Sequence, residues 1–142
     1  MDNIQSKRRK ALVINYLSFV LILCIFYLVR LGILAKLFLI AVIIPLAGLI
    51  SSFAFAFGKS KLWKLTHSSF HELDERETEL VFRATTISYS VFTVICLILI
   101  YTYSLIGLGS IDVVLAAFLL YLAHSLPAAI IAWNQKVVID QE

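Results

Sequence analysis

The sequence predicts an all-α, polytopic membrane protein: four transmembrane helices folded as two antiparallel hairpins, with a short cytoplasmic helix leading into the third. Three observations carry this expectation. The 142 residues have a mean hydropathy of +0.96 and only 15% are charged, too little polar surface for a domain dissolved in water. Four runs with few or no charges, 11–29, 37–57, 84–106 and 111–133, are each long enough to cross a hydrocarbon layer about 30 Å thick as a helix. No period-two alternation runs through them, and backbone groups in lipid must bond within their own segment, so helices follow rather than a barrel.

The N-terminal MDNIQSKRRK followed by an apolar run has the outline of a signal peptide. The run is long and continues into YLVRLG with no small-residue cleavage site, so it reads as a retained first helix. The turn RLGILAK is short and makes the first two helices an antiparallel hairpin, in which Ser51 faces Asn15 and Gly48 faces Ser18. Gly48, Ser52 and Ala56 at spacing four form a small-residue stripe that admits a neighbouring backbone, in this chain or in a second copy. Pro45 lacks the amide that would bond the carbonyl of Ala41, and Pro127 does the same to Ala123 in the fourth span, so each is expected to bend its helix.

The segment 58–83 divides into a basic half, GKSKLWKLTH, and an acidic half, HELDERETE. Ser69 with Glu72 three residues on has the pattern of a capping box. Glu72 with Arg76 and Glu79 with Arg83 have ion-pair spacing on a helix. Together they predict a helix from about Phe70 that runs on into the third span. That span carries Thr86, Tyr89, Ser90, Thr93, Cys96 and Ser104 at three- and four-residue steps, a polar stripe expected to turn away from lipid. The turn GLGS makes the second hairpin, whose register sets His124 opposite Thr93 and Tyr121 opposite Cys96.

Lys and Arg give the orientation. Lys7, Arg8, Arg9 and Lys10 precede the first span, Lys59, Lys61, Lys64, Arg76 and Arg83 lie in the central segment and Lys136 in the tail, against Arg30 and Lys36 in the opposite turns. Ten against two predicts that both termini and the central segment are cytoplasmic, with the chain in the cell's inner (plasma) membrane. The net charge of +3 is therefore a topology signal. The bases sit at membrane edges with no patch of interleaved aromatics, which excludes a nucleic-acid surface and makes anionic lipid headgroups their partners. Trp63 and Trp133 fit the cytoplasmic boundary, and Tyr27, Tyr101 and Tyr103 the outer one.

Three groups of residues carry the functional expectations. His124 lies two residues from the middle of its span, about 3 Å from the bilayer centre by the helical rise. With Thr93, Ser90 and Tyr89 it makes an intramembrane polar site: a satisfied core residue, a proton relay or ligand site in a small oligomeric transporter, or a metal ligand, for which no second ligand is visible at that depth. Glu72, Asp74, Glu75, Glu77 and Glu79 exceed what helix initiation requires and offer either a solvated face or a docking surface for a basic protein partner. His67, His71 and Glu75, four residues apart, would share one face and supply three metal ligands if the helix extended backward; with Asp74 nearby they are the fragment from which a membrane-embedded metal-dependent enzyme would be built. Cys24 and Cys96 both fall inside spans, have no CxxC partner and read as small apolar residues. No cofactor motif is present.

The block LDERE, 73–77, followed by Arg83, Ala84 and a span, resembles a pattern in small multi-helix prokaryotic membrane proteins that carry a DER motif and have no assigned activity. The resemblance covers roughly residues 73–90 and implies a prokaryotic membrane protein. The function expected is binding: an accessory or regulatory subunit, anchored and oligomerised by its bundle, with an acidic cytoplasmic docking helix.

Overall fold

The computed structural model describes residues 2–58, 62–69, 73–107 and 109–134, with side chains from Gln5 onward. It is all-helical, with no strand among the described residues. Four helical stretches, Gln5–Arg30, Lys36–Gly58, Glu75–Ile106 and Val113–Asn134, are long and apolar enough to cross a membrane. The chain divides into two compact units.

The first unit holds α1 (Asp2–Arg30), a 3-10 segment (Lys36–Val42), α2 (Ile43–Phe53) and a π segment (Ala54–Gly58). The end of α1 follows from Gly32, whose φ of 74° is costly for any residue with a Cβ. That conformation lets the Ile33 N–H donate to the Leu28 carbonyl and the Gly32 N–H to that of Val29, which satisfies two carbonyls the helix leaves open. At Pro45 the structure shows a change of hydrogen-bonding pattern. Three-residue bonding over Lys36–Val42 changes to α-helical bonding at Ile43, which places the proline in the first turn of α2, where a missing amide is tolerated. A 3-10 run this long is uncommon.

Polar and small residues hold α1 to α2. Asn15 is fully buried, and its amide donates to the Leu49 carbonyl at 3.2 Å and to Ser52 Oγ at 3.1 Å. Ser52 Oγ in turn donates to the Leu49 carbonyl at 3.0 Å. Ser18 is buried beside Gly48, where a Cβ would come within 2.9 Å of Ser18 Oγ. The small-residue stripe thus packs against α1 and is not left open for a second copy. Since Ser18 Oγ can rotate away, Gly48→Ala is expected to cost less than about 1 kcal/mol, whereas Gly48→Leu forces the helices apart at about 1–3 kcal/mol. Thermal unfolding in detergent reads the difference, and equal melting of both variants with the wild type would mean that this contact is not close.

The second unit holds α3 (Leu62–His67), α4 (Glu75–Ile106) and α5 (Val113–Asn134). α3 is short and buries Leu62 and Leu65, packing on α5 and to a lesser extent on α4. The helix expected from Phe70 begins instead at Glu75. Asp74, in extended conformation, accepts from the Glu77 N–H at 2.6 Å, and the Asp74 N–H donates to Glu77 Oε2 at 3.3 Å. This Asp-x-x-Glu capping box, reciprocal and locally complete, starts α4 in place of the expected Ser69 box, whose Glu72 lies outside the described residues with Phe70 and His71. Asp112 caps α5 by accepting from the Leu115 N–H at 2.9 Å. Pro127 lies inside α5 without interrupting it.

The buried contacts mix apolar residues such as Phe57, Leu62 and Leu115 with small and polar ones, and much of the large apolar surface is left outside. Asn15, Ser18, Ser52, Ser88 and Ser125 are buried, while Leu37, Ile44, Leu105 and Val113 are all more than 70% exposed. α4 presents Val81, Ala84 and Ser88 inward and surrounds itself with exposed Val94, Leu97, Ile98 and Ile100. Small and polar residues at contacts with large apolar residues outside is the arrangement that lipid as solvent favours.

Candidate functional site

The polar stripe of α4 does not turn inward. Thr86 and Ser90 are exposed, as is Tyr89 at 73%. The hydroxyls need no second helix, because each donates one turn back along its own: Thr86 to the Phe82 carbonyl at 2.9 Å, Ser90 to that of Thr86 at 3.2 Å and Thr93 to that of Tyr89 at 2.8 Å. A hydroxyl satisfied in this way costs little on an apolar face, which is why the expectation of an inward stripe fails.

His124 is likewise neither buried nor bonded to Thr93. Its Nδ1 donates to the Leu120 carbonyl on its own helix at 2.9 Å, and the residue is exposed. The ring that faces it is His67 of α3, with centroids 6.2 Å apart and planes within 8°. His67 in turn stacks on Trp63 at 4.2 Å and 21°. The spacing of four puts Trp63 and His67 on one side of α3, the packing of α3 on α5 brings that side to His124, and so three aromatic rings stand in a row.

The hydrogen bonds set the tautomers. His67 Nδ1 lies 2.9 Å from the Trp63 carbonyl and 3.1 Å from Thr66 Oγ1. Thr66 spends its own proton on the Leu62 and Trp63 carbonyls, at 3.1 and 3.2 Å. Carbonyls only accept, so Nδ1 carries the proton in both histidines and Nε2 keeps its lone pair in the neutral ring. Neither Nε2 has a hydrogen-bond partner among the described residues. His124 is the twelfth of the 22 residues of α5, so His67, expected in a water-exposed loop, lies alongside the middle of that helix.

The acidic residues separate into two roles. Asp74 and Glu77 form the cap, and Glu75 joins them in the first turn, where a carboxylate favours the helix dipole. Glu75 and Glu79 are exposed, one turn apart, and the expected pair of Glu79 with Arg83 does not form. Exposed Phe82 and Arg83 continue the same face.

His67 and Glu75 belong to different helices, with Ser68, Ser69, Leu73 and Asp74 outside helical conformation, and the third member of the expected set, His71, lies outside the described residues. Among the described residues no three His, Cys, Asp or Glu side chains group closely enough to hold a metal ion. The contact between His67 and His124 went unanticipated because it depends on how the central segment folds back. The Trp-x-x-x-His spacing of α3 was the available signal.

No protein-family model, curated protein or solved structure matches the chain.

Proposed function

We propose that the protein is a small inner-membrane protein that crosses four times as two antiparallel hairpins, with both termini cytoplasmic, and acts by binding, as an accessory or regulatory subunit. The observation that carries the binding role is the face of α4 made by Glu75, Glu79 and Phe82: two exposed carboxylates one turn apart, without ion-pair partners among the described residues, then an aromatic ring 67% exposed. Helix initiation accounts for Asp74 and Glu77 but not for Glu79 or Phe82. A basic protein segment with an apolar anchor is the complementary partner, since charge directs the encounter and the desolvated aromatic contributes the affinity.

Glu75→Gln combined with Glu79→Gln tests this. Glu79 is an exposed charge away from the cap and contributes little to folding, while Glu75 adds a first-turn dipole contribution of about 0.3–1 kcal/mol, so melting in detergent is expected to fall by no more than about 1 kcal/mol. Co-purification of a partner protein should fall in the variant, and in the wild type it should fall as salt rises, because exposed charges are screened over about 8 Å at physiological ionic strength. Co-purification that is indifferent both to the substitutions and to salt leaves only a solvated face.

A second reading, a small oligomeric transporter, draws support from the meeting of His67 and His124, because ionisable side chains within spanning segments mark ion and proton pathways. pH-dependent flux in vesicles, lost in His124→Ala, is its test.

A further inference from the structure

We infer that the basic partner of the α4 face is a second copy of this chain, which offers the cytoplasmic end of its α1. The inference rests on the proposed reading of Glu75, Glu79 and Phe82 and names what they bind. Among the four bases that open α1, Arg8 and Arg9 are half-buried and already have partners, whereas Lys7 and Lys10 are exposed and make no ion pair among the described residues. The two lysines begin a stripe that continues through Ile14, Leu17, Leu21 and Cys24, all exposed, in steps of three and four. That is the spacing by which a parallel neighbouring helix is packed. It lies apart from Asn15 and Ser18, which face α2.

α4 carries the complementary stripe. Glu75, Glu79, Phe82, Thr86 and Tyr89 follow one another in steps of four and three and are all exposed, on the side away from buried Val81, Ala84 and Ser88. Thr86 donates its hydroxyl proton to the Phe82 carbonyl at 2.9 Å, so it can meet aliphatic side chains without an unmet donor. Both helices enter from the cytoplasm in the proposed topology and therefore run parallel across two copies. Counted from the first residue of each apolar run, Ala11 and Ala84, Ile14 stands within one residue of the level of Thr86, and Leu17 of Tyr89. Lys10 and Lys7 stand about 6 and 7.5 Å along the axis from Glu79 and Glu75. Helical side chains lean towards the N-terminus, which carries each ammonium towards a carboxylate. Arg83, exposed at the edge of the face, stands level with Lys10 and repels it in the same direction. Charge, depth and spacing thus agree in one occupant. The apolar contact supplies the packing on which association in lipid depends, and the charges select which faces meet. Each copy carries both faces, so one kind of contact suffices for an oligomer.

The test uses the full chain in its membrane, with Cys24→Ala and Cys96→Ala as background. One copy carries Ile14→Cys and a second, differently tagged, carries Thr86→Cys. Oxidation is expected to join the two tags in one band on a non-reducing gel. Glu75→Gln with Glu79→Gln in the second copy should lower the linked fraction about two- to fivefold, as should Lys7→Gln with Lys10→Gln in the first. Glu79→Lys should lower it further, and Lys10→Glu in the other copy should restore it. Should these cysteine variants fail to accumulate, Leu17→Cys with Tyr89→Cys gives the same readout. No link between the tags overturns the inference, as does a link that forms only within one chain when both cysteines are placed in it. A linked fraction that follows the anionic lipid content of reconstituted vesicles and ignores Glu75 and Glu79 assigns the lysines to headgroups and also overturns it. If Glu75→Gln with Glu79→Gln spares self-association but releases a different co-purifying protein, the second copy falls as partner and the reading of the face stands; if neither changes, both fall.

Discussion

Asn15→Asp is expected to destabilise the protein by about 2–4 kcal/mol, and Asn15→Ala by a smaller amount, about 1–3 kcal/mol. Asn15 is fully buried between α1 and α2, and its amide supplies two donors, to the Leu49 carbonyl and to Ser52 Oγ. Alanine removes both bonds, each worth about 0.6 to 1.7 kcal/mol between helices in lipid, and leaves a small void. Aspartate is nearly the same size but sets acceptors against the Leu49 carbonyl, at a site where a buried carboxylate costs about 2.5–3.5 kcal/mol. Ser52→Ala should cost least, since the bond from Asn15 to Leu49 survives. The order Asp, Ala, then Ser52→Ala, measured by thermal unfolding in detergent, is specific to Asn15 acting as a donor. Aspartate melting with the wild type would show that the amide nitrogen does not face Leu49.

The parts of this fold visible in the sequence are those that follow from transfer of apolar groups. Four runs of about twenty apolar residues become four helical stretches long and apolar enough to cross a membrane, the outcome expected where lipid would leave the backbone no other partner, and the pairing of Gly48 with Ser18 follows from the length of one turn. Asn15 stands alone in an apolar run, and the register sets it against Ser51, which is exposed and bonds back to Ala47 and Gly48. Its true partner is the next residue, Ser52, because the count along one turn does not fix the helix rotation. Boundaries were less visible, because they turn on local competition between bonds. α4 starts at the box of Asp74 with Glu77 and not near Phe70, and α1 begins at Asp2 because Lys and Arg are good helix formers even where they are poor membrane residues. Bonding registers were not visible at all: nothing in KLFLIAV or AFAFG announces three- or five-residue bonding.

The candidate site shows the same division. A histidine inside an apolar run identifies itself, and so does a cluster of acids. What each one touches does not. His124 was set against Thr93 by counting along two helices, a count that assumes every polar group seeks a partner on the neighbouring helix. Thr93 and His124 each find a carbonyl one turn back instead, so nothing compels them to meet. The ring that does meet His124 comes from the short helix Leu62–His67, whose apolar side, Leu62 and Leu65, needs burial and carries Trp63 and His67 with it.

Cysteine labelling from outside intact cells is expected to give an all-or-none result that decides the orientation. In a chain carrying Cys24→Ala and Cys96→Ala, an impermeant maleimide should react with Ser110→Cys and not with Ser6→Cys until the membrane is permeabilised. Both serines are exposed, so a difference between them reports the membrane and not burial. The physical basis is the ten-to-two division of Lys and Arg. A Lys or Arg at the centre of a span costs about 2.5–3.5 kcal/mol on insertion scales, so the side crowded with bases stays where it is made. Asp112, which caps α5 beside Ser110, does not offset the bias, because acids weigh little in topology. Two bases do lie on the predicted outer side, Arg30 and Lys36. Arg30 sits over the Tyr27 ring at 5.9 Å, an arrangement that gives its charge a partner at the membrane edge and lowers the cost of holding it there. Ser6→Cys reacting while Ser110→Cys is silent would invert the chain and set the acidic face of α4 outside the cell, where no cytoplasmic partner could reach it. Changing Lys7, Arg8, Arg9 and Lys10 together to Gln should then weaken the preference, since the central segment alone would carry most of the remaining bias.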